Sequence, residues 1–164
     1  MLTFRKATID DAETIAGIMC RSWVAAYTGL VPEEYITEQN ATRLKCTLEW
    51  FGKDHDVYVA VLNSKIVGIG VFTQTGDEDL ADYFEVRVFY LDPDYFRRGI
   101  GRKFMDYALD LARAGNYPGV LLYVLENNRN AQRFYEACGF VCGGKRKAIK
   151  HLQALENIRY VLKI

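Results

Sequence analysis

The chain has 164 residues, half of them apolar, and its 21 Lys and Arg balance 21 Asp and Glu. That length predicts one domain over residues 1–164, with a core large enough to fold without metals or disulfides. A formal charge of zero leaves no footprint for bulk nucleic-acid or anionic-membrane binding, so any basic function is local, as around Arg97, Arg98, Arg102 and Lys103.

The opening residues, Met-Leu-Thr-Phe-Arg-Lys, lack the apolar run of a signal peptide, and no later stretch has the length of a membrane span. This predicts a cytoplasmic protein with no membrane partner. Cys20, Cys46, Cys138 and Cys142 are too few and too scattered for a disulfide framework. Cys138 and Cys142, with His55 or His151, are half of a zinc pattern that lacks its second matched pair, so buried thiols and no metal are expected.

Leu2 to Arg5 alternate as a short strand. Asp10 and Glu13 form a capping pattern ahead of Ala12, Ile15, Ala16, Met19, Trp23, Ala26 and Tyr27, which recur at helical spacing. Gly29 and Pro32 end that helix and leave Glu33, Glu34 and Tyr35 on a connecting segment. Ala41, Leu44, Leu48 and Phe51 suggest a second helix, capped by Asn40 and stopped by Gly52. Val57 to Leu62 and Ile66 to Phe72 read as strands joined by a hairpin turn at Asn63 and Ser64. Gly76 to Asp82 is a charged loop.

The next strand changes phase. Its apolar residues Phe84, Val86 and Val88 occupy even positions, then Phe89 and Leu91 take odd ones. A period of two does this when one extra residue, a β-bulge near Val88 to Tyr90, resets the register; an aromatic strand buried on both faces gives a similar string. Pro93 stops the strand. Gly99 and Gly101 then open an amphipathic helix carrying Ile100, Phe104, Ala108 and Leu111. Gly115 and Pro118 precede a strand from Val120 to Leu125. Asn128 caps a short helix with Ala131, Phe134, Tyr135 and Cys138 on one side, closed by Gly139. Phe140 to Cys142 and Ile158 to Ile164 read as two last strands around a loop of Gly143, Gly144 and several lysines. The order β-α-α-β-β-β-α-β-α-β-β indicates an α/β domain with a mixed sheet.

A strand, a basic glycine turn and a helix start together make a candidate anion site, because glycines let consecutive N–H groups converge on a phosphate beside the helix's open donors. The dinucleotide fingerprint needs a small residue where Phe104 stands. The Walker pattern needs Lys-Ser/Thr where Arg102 and Lys103 stand. A helix start without a ligand is the competing reading.

The run from Leu91 to Gly101, Leu-Asp-Pro-Asp-Tyr-Phe-Arg-Arg-Gly-Ile-Gly, resembles the acetyl-CoA pyrophosphate motif of the GNAT superfamily of N-acetyltransferases, written Gln/Arg-x-x-Gly-x-Gly/Ala. Asn128, Ala131, Phe134, Tyr135, Gly139 and Phe140 are similar to that family's downstream helix motif, one helix and one strand later. Ser22, Trp23 and Tyr27 match a Ser-Trp-x-x-x-Tyr segment of many members. The resemblance departs at Phe96, where Gln or Arg is usual, which removes a side-chain contact but leaves main-chain donors.

The resemblance implies a mixed central sheet whose bulged fourth strand splays from the fifth, flanked by about four helices, and direct transfer of an acetyl group from acetyl-CoA to a primary amine of a small molecule or peptide. It assigns the cofactor to Phe89, Tyr90, Leu91, Arg97, Arg98, Gly99, Ile100, Gly101, Arg102, Asn128, Ala131 and Tyr135, with backbone N–H groups near Phe89 to Leu91 facing the thioester oxygen. Tyr135 is the implied general acid, since a phenol is neutral at pH 7; packing beside Phe134 is its plainer role.

An alkylamine of pKa near 10.4 costs roughly 4 to 5 kcal/mol to deprotonate at pH 7, so a base or a water chain helps. Glu85 is the candidate, with a surface pair to Arg87 as its competing role and Glu126 as second choice. Trp23, Tyr27 and Tyr35, and the acids Asp77, Glu78 and Asp79, are candidates to line an acceptor cleft, or else core aromatics and a solvated loop. No nucleic-acid partner is expected, and a homodimer is admitted. A silent acyl-CoA-binding sensor or interaction module on the same fold is the alternative.

Overall fold

The computed structural model describes residues 1–53 and 55–164. In chain order it has β1 (Leu2–Lys6), α1 (Ala12–Tyr27), α2 (Glu33–Ala41), α3 (Arg43–Gly52), β2 (Asp56–Leu62), β3 (Lys65–Gln74), β4 (Phe84–Leu91), α4 (Ile100–Ala114), β5 (Gly119–Leu125), α5 (Arg129–Ala137), β6 (Val141–Ile149) and β7 (Leu152–Lys163). Hydrogen bonding orders the sheet β1-β2-β3-β4-β5-β7-β6. The β4–β5 pair is parallel, and β1–β2, β2–β3, β5–β7 and β6–β7 are antiparallel. A parallel pair needs a crossover, which α4 supplies. The mixed α/β sheet expected from the sequence is present, with five α-helices rather than about four.

The chain divides into two compact units, Met1–Phe72 with Val88–Tyr107, and Thr73–Arg87 with Ala108–Ile164. The first is built on an apolar cluster of Ile15, Ile18 and Met19 from α1 with Val57, Val59, Ile69 and Val71 from β2 and β3, onto which Trp50, Phe51, Val88 and Tyr90 pack. Asn63 and Ser64 turn the hairpin with φ of 49° and 67°, the left-handed pair that matches strand twist. Phe104 of α4 packs on Phe4, Phe72 and Phe89, with ring centroids 5.2, 6.2 and 5.1 Å away. A Cβ on Gly70 would lie 2.5 Å from the Phe72 ring, so this layer depends on glycine there.

In the second unit β5 is buried along nearly its whole length and β7 covers it from Gly119↔Lys163 to Leu125↔Asn157. A Cβ on Gly119 would sit 2.2 Å from the Tyr83 ring and 2.8 Å from the Leu162 carbonyl, which fixes glycine at the strand's start.

Several sequence expectations are corrected. Glu33, Glu34 and Tyr35 open a helix, α2, with Pro32 before it and acids in its first turn, where they suit the helix dipole. Asn40 lies inside α2 and does not cap α3, whose N-cap is Thr42. The carboxylate that binds back at the start of the first helix is Asp11, which accepts from the Thr8 N–H at 2.8 Å. The lysines after Gly144 are in β6, an exposed edge strand where basic side chains deter further pairing.

The apolar stripe expected for the second helix, here α3, holds at Phe51, which packs on the core cluster, and fails at its leucines. Leu44 and Leu48 are 41% and 42% exposed, while Arg43 and Thr47 are buried. Nor are all four thiols buried: Cys138 is, Cys20 and Cys46 are half-buried, and Cys142 is exposed.

Candidate active site

The end of β4 is tied to α1 side chain by side chain. The Ser22 hydroxyl donates to the Leu91 carbonyl at 2.6 Å, and Arg21 pairs with Asp92 at 2.5 Å. The Tyr27 and Tyr90 hydroxyls share a hydrogen bond of 3.2 Å. Asp92 is nearly buried and also caps the Pro93–Tyr95 turn by accepting from the Asp94 N–H. Phe89, Tyr90 and Leu91 are thus half-buried residues at a strand end whose position is set by α1.

After that turn the backbone becomes left-handed twice, at Arg97 (φ 60°) and Gly99 (φ 74°), before α4 begins at Ile100. Arg97 pays for its conformation, since a Cβ disfavours positive φ. Lys103 N–H closes the first helical bond on the Gly99 carbonyl. The N–H groups of Ile100, Gly101 and Arg102 are those that an α-helix leaves without an intrahelical acceptor, and they carry its positive end. Ile100 and Gly101 are buried, so the turn's start is anchored from inside.

Arg98 folds over Tyr95 (5.1 Å) and donates to the Asp94 carbonyl at 3.0 Å; Arg102 pairs with Asp106 at 3.1 Å. Arg97 and Lys103 form no side-chain bond among the described residues, and both are exposed. The positive end of α4, the left-handed turn before it and the exposed cations of Arg97 and Lys103 fit a pyrophosphate. Phe96 is 43% exposed and contributes no polar group.

Beside the same strand end lies an aromatic cluster that encloses a cation. Trp23 packs on Tyr27 at 4.7 Å and on Tyr35 at 6.1 Å, and the Arg43 guanidinium stands 4.1 Å from the Trp23 ring centroid. Arg43 is 8% exposed and forms no ion pair among the described residues. Its Nε donates to Asn40 at 3.4 Å, while its Nη2 and the Trp23 Nε1 are buried without any acceptor. Burial pushes Arg43 below the ordinary arginine range, opposed by the weak acids Tyr90, Cys20, Cys46 and Tyr27. Arg43 was not among the residues marked by sequence, because on a helix containing Leu44 and Leu48 an arginine reads as the wet face.

In the second unit, Asn128 caps α5 by accepting from the Ala131 N–H at 3.1 Å, as its position suggested. Tyr135 is half-buried on α5, edge-on to Phe134 at 5.3 Å and to Phe140 at 6.1 Å. The two carboxylates offered as bases differ. Glu126 is engaged by Arg146 at 2.7 Å and by the Glu156 N–H at 3.0 Å; these bonds, Arg146 first, hold it below the usual carboxylate range. The half-buried Glu85 sits beside β5, register-paired with Leu121, and its side chain forms no bond with Arg87 or any other described residue.

In the acidic loop Glu78 is exposed and forms no ion pair among the described residues, but the two aspartates are compensated. Asp77 is 3% exposed and receives Arg159 at 2.9 Å, Lys147 at 2.5 Å and the Tyr123 hydroxyl. Asp79 pairs with Arg159 at 2.7 Å and Lys145 at 2.8 Å. Burial works to raise Asp77, but Lys147, Tyr123 and Arg159 outweigh it and hold the carboxyl at about 2. These two aspartates are therefore committed to the fold and are a poor lure for a cationic amine.

Residues 18–140 match the model of the Acetyltransferase (GNAT) family. The chain is 24% identical over 163 residues to the peptidyl-lysine N-acetyltransferase YjaB of Escherichia coli strain K12, covering 98% of each protein. It is 26% identical over 148 residues to the spermidine N(1)-acetyltransferase of Thermoplasma acidophilum, covering 85% of this chain and 88% of that one. Among solved structures, the PaiA N-acetyltransferase of Thermoplasma acidophilum in complex with coenzyme A superposes with a TM-score of 0.77 at 22% identity, over 100% of this chain and 99% of that one, a likeness of fold.

Proposed function

The chain belongs to the GNAT family of acetyltransferases, and on that premise we propose that it moves an acetyl group from acetyl-CoA directly to a primary amine of a small molecule or peptide. The observation that carries this reading is the turn from Arg97 to Gly99, whose two left-handed residues deliver the open end of α4 with an unpaired arginine beside it. The coverage of YjaB, nearly end to end, supports taking residues 1–164 as one acetyltransferase domain.

Acetyl-CoA supplies an activated acyl group, and the residues of this chain hold it and manage protons. Backbone N–H groups of Ile100, Gly101 and Arg102 bind the pyrophosphate, with Arg97 and Arg98 adding charge. Phe89 to Leu91 present main-chain donors to the thioester oxygen, where negative charge builds during attack. Loss of inside-outside alternation from Val88 to Leu91, all half-buried, supports a bulge there. Asn128 and Ala131 orient the cofactor arm. Tyr135 donates its phenolic proton to the departing sulfur.

Glu85 takes the amine proton, directly or through water. The contrast with Glu126 favours it, since a carboxylate already holding a guanidinium and a backbone N–H is a weaker base.

A panel of primary amines assayed for acetyl-CoA-dependent release of free thiol tests the proposal. Acetylation of at least one amine, abolished by Gly101→Glu, is expected. Tight acetyl-CoA binding with no turnover across a broad panel would instead assign the chain to a silent acyl-CoA-binding module.

A further inference from the structure

Two donor-only groups in the first unit have nothing to donate to. A guanidinium and an indole N–H cannot accept a hydrogen bond, so each stays unsatisfied until an acceptor arrives. Arg43 Nη2 and Trp23 Nε1 are both buried and unpaired among the described residues, on two side chains stacked 4.1 Å apart. Leaving a buried donor unmade costs stability, and leaving a buried charge unpaired costs more. The chain accepts both costs at one spot and places Leu44 and Leu48 in solvent to do so. The two donor atoms are shielded from solvent, and the side chains around them, Trp23, Tyr27, Tyr35 and Tyr90, are each only half-buried.

Tyr90 carries the connection to chemistry, since its hydroxyl meets Tyr27 of the cluster and its backbone belongs to the β4 end assigned to the thioester. What would satisfy this arrangement is a planar anion. A carboxylate offers about four lone-pair sites to a guanidinium fork and a nearby N–H and neutralises the charge. An alkylammonium would meet a like charge with its best aromatic face already taken by Arg43.

We propose that Arg43 and Trp23 form the carboxylate-binding end of the acceptor site, so that the amine acetylated by this protein also carries a carboxylate, as an amino acid does. The inference rests on the N-acetyltransferase reading above for the reaction, though not for the binding. It sets the acceptor class apart from polyamines, which are cationic along their whole length.

Amino acids and their carboxamides, compared at equal concentrations of the neutral amine because the carboxamide's amine is the more acidic, test it through thiol release from acetyl-CoA. The acid is expected to exceed the amide in kcat/KM by about tenfold or more, the range of a charged hydrogen bond. Arg43→Gln should erase that preference by raising KM for the acid alone, and Arg43→Lys should keep part of it. Trp23→Phe, which retains a ring and removes the N–H, should lower the preference in the same direction.

A second arm needs no turnover. In thermal melts of the full chain without acetyl-CoA, the amino acid should raise the midpoint of the wild type, the carboxamide should not, and neither should act on Arg43→Gln. The ligand-free Arg43→Gln chain should melt no lower than wild type, because an uncompensated charge has been removed. Equal kcat/KM for acid and amide, or a preference that survives Arg43→Gln, overturns the proposal. So does a lowered midpoint in that variant with the preference unchanged, which marks Arg43 as structural. Carboxylate-dependent melting with no amine turned over would sink the transferase reading and leave the carboxylate site standing.

Discussion

Arg159 and Arg43 are both buried, at 7% and 8% exposure, and they have opposite surroundings. Arg159 meets Asp77 at 2.9 Å and Asp79 at 2.7 Å, with Lys145 and Lys147 completing a cluster that leaves only its Nε without a partner. Arg43 meets the Trp23 ring and the Asn40 amide. A charge answered by the protein's own charges holds the protein together. A charge left unanswered at similar depth is held ready for something the protein binds. The same contrast separates Glu126, bonded to Arg146, from Glu85, bonded to nothing described.

Substitutions on the two sides of this contrast should fail in different assays. Gly101→Glu places a bulky anion on the buried second residue of α4, so acetyl-CoA affinity should fall beyond measurement by calorimetry. Retained affinity would remove the pyrophosphate from that turn.

Asp77→Asn should cost on the order of 3 kcal/mol in urea unfolding, because Arg159 and Lys147 lose a buried counter-charge. Its acetyl-CoA affinity should stay near wild type. The carboxyl is held at about 2 against an ordinary 3.8, so its stabilisation is complete above pH 4 and is lost as pH falls toward 2. The stability gap between wild type and Asp77→Asn should therefore narrow over that window and be flat above it.

Tyr135→Phe should lower kcat by about tenfold or more with acetyl-CoA affinity little changed, within the usual range for a general acid. An unaltered kcat would return Tyr135 to packing beside Phe134 and Phe140. The smallest effect belongs to the carboxylates. Glu85→Gln should depress the basic-limb activity and shift its apparent pKa, whereas Glu126→Gln should leave that profile in place.

The sequence was most legible where one residue type answers one geometric demand. Asn63 and Ser64 had to turn a hairpin, Asn128 had to cap a helix, and the glycines around Ile100 had to open α4; each does so. The helix after Pro32 was missed because it buries only Ile36, so its face carries no period to read. The signal available was the Pro-Glu-Glu start. Only the start of β6, Val141 and Cys142, reads as strand in the sequence, and its continuation from Gly143 reads as a loop because edge strands are written in glycine and lysine to discourage pairing.

Arg43 and the Asp77 cluster were illegible for a deeper reason. Both depend on residues far apart in the chain, positions 20 to 90 for one and 77 to 159 for the other, and local pattern assigns charged residues to solvent. In α3 the pattern pointed the wrong way, since its leucines are the exposed residues and its arginine the buried one.

Arg21, Ser22 and Tyr27 of α1 bond in reversed order to Asp92, just past β4, and to Leu91 and Tyr90 at its end, one rung for each of three consecutive residues. Such a ladder makes helix and strand end a single cooperative unit for local opening. Amide protons at the two ends should exchange with a common free energy.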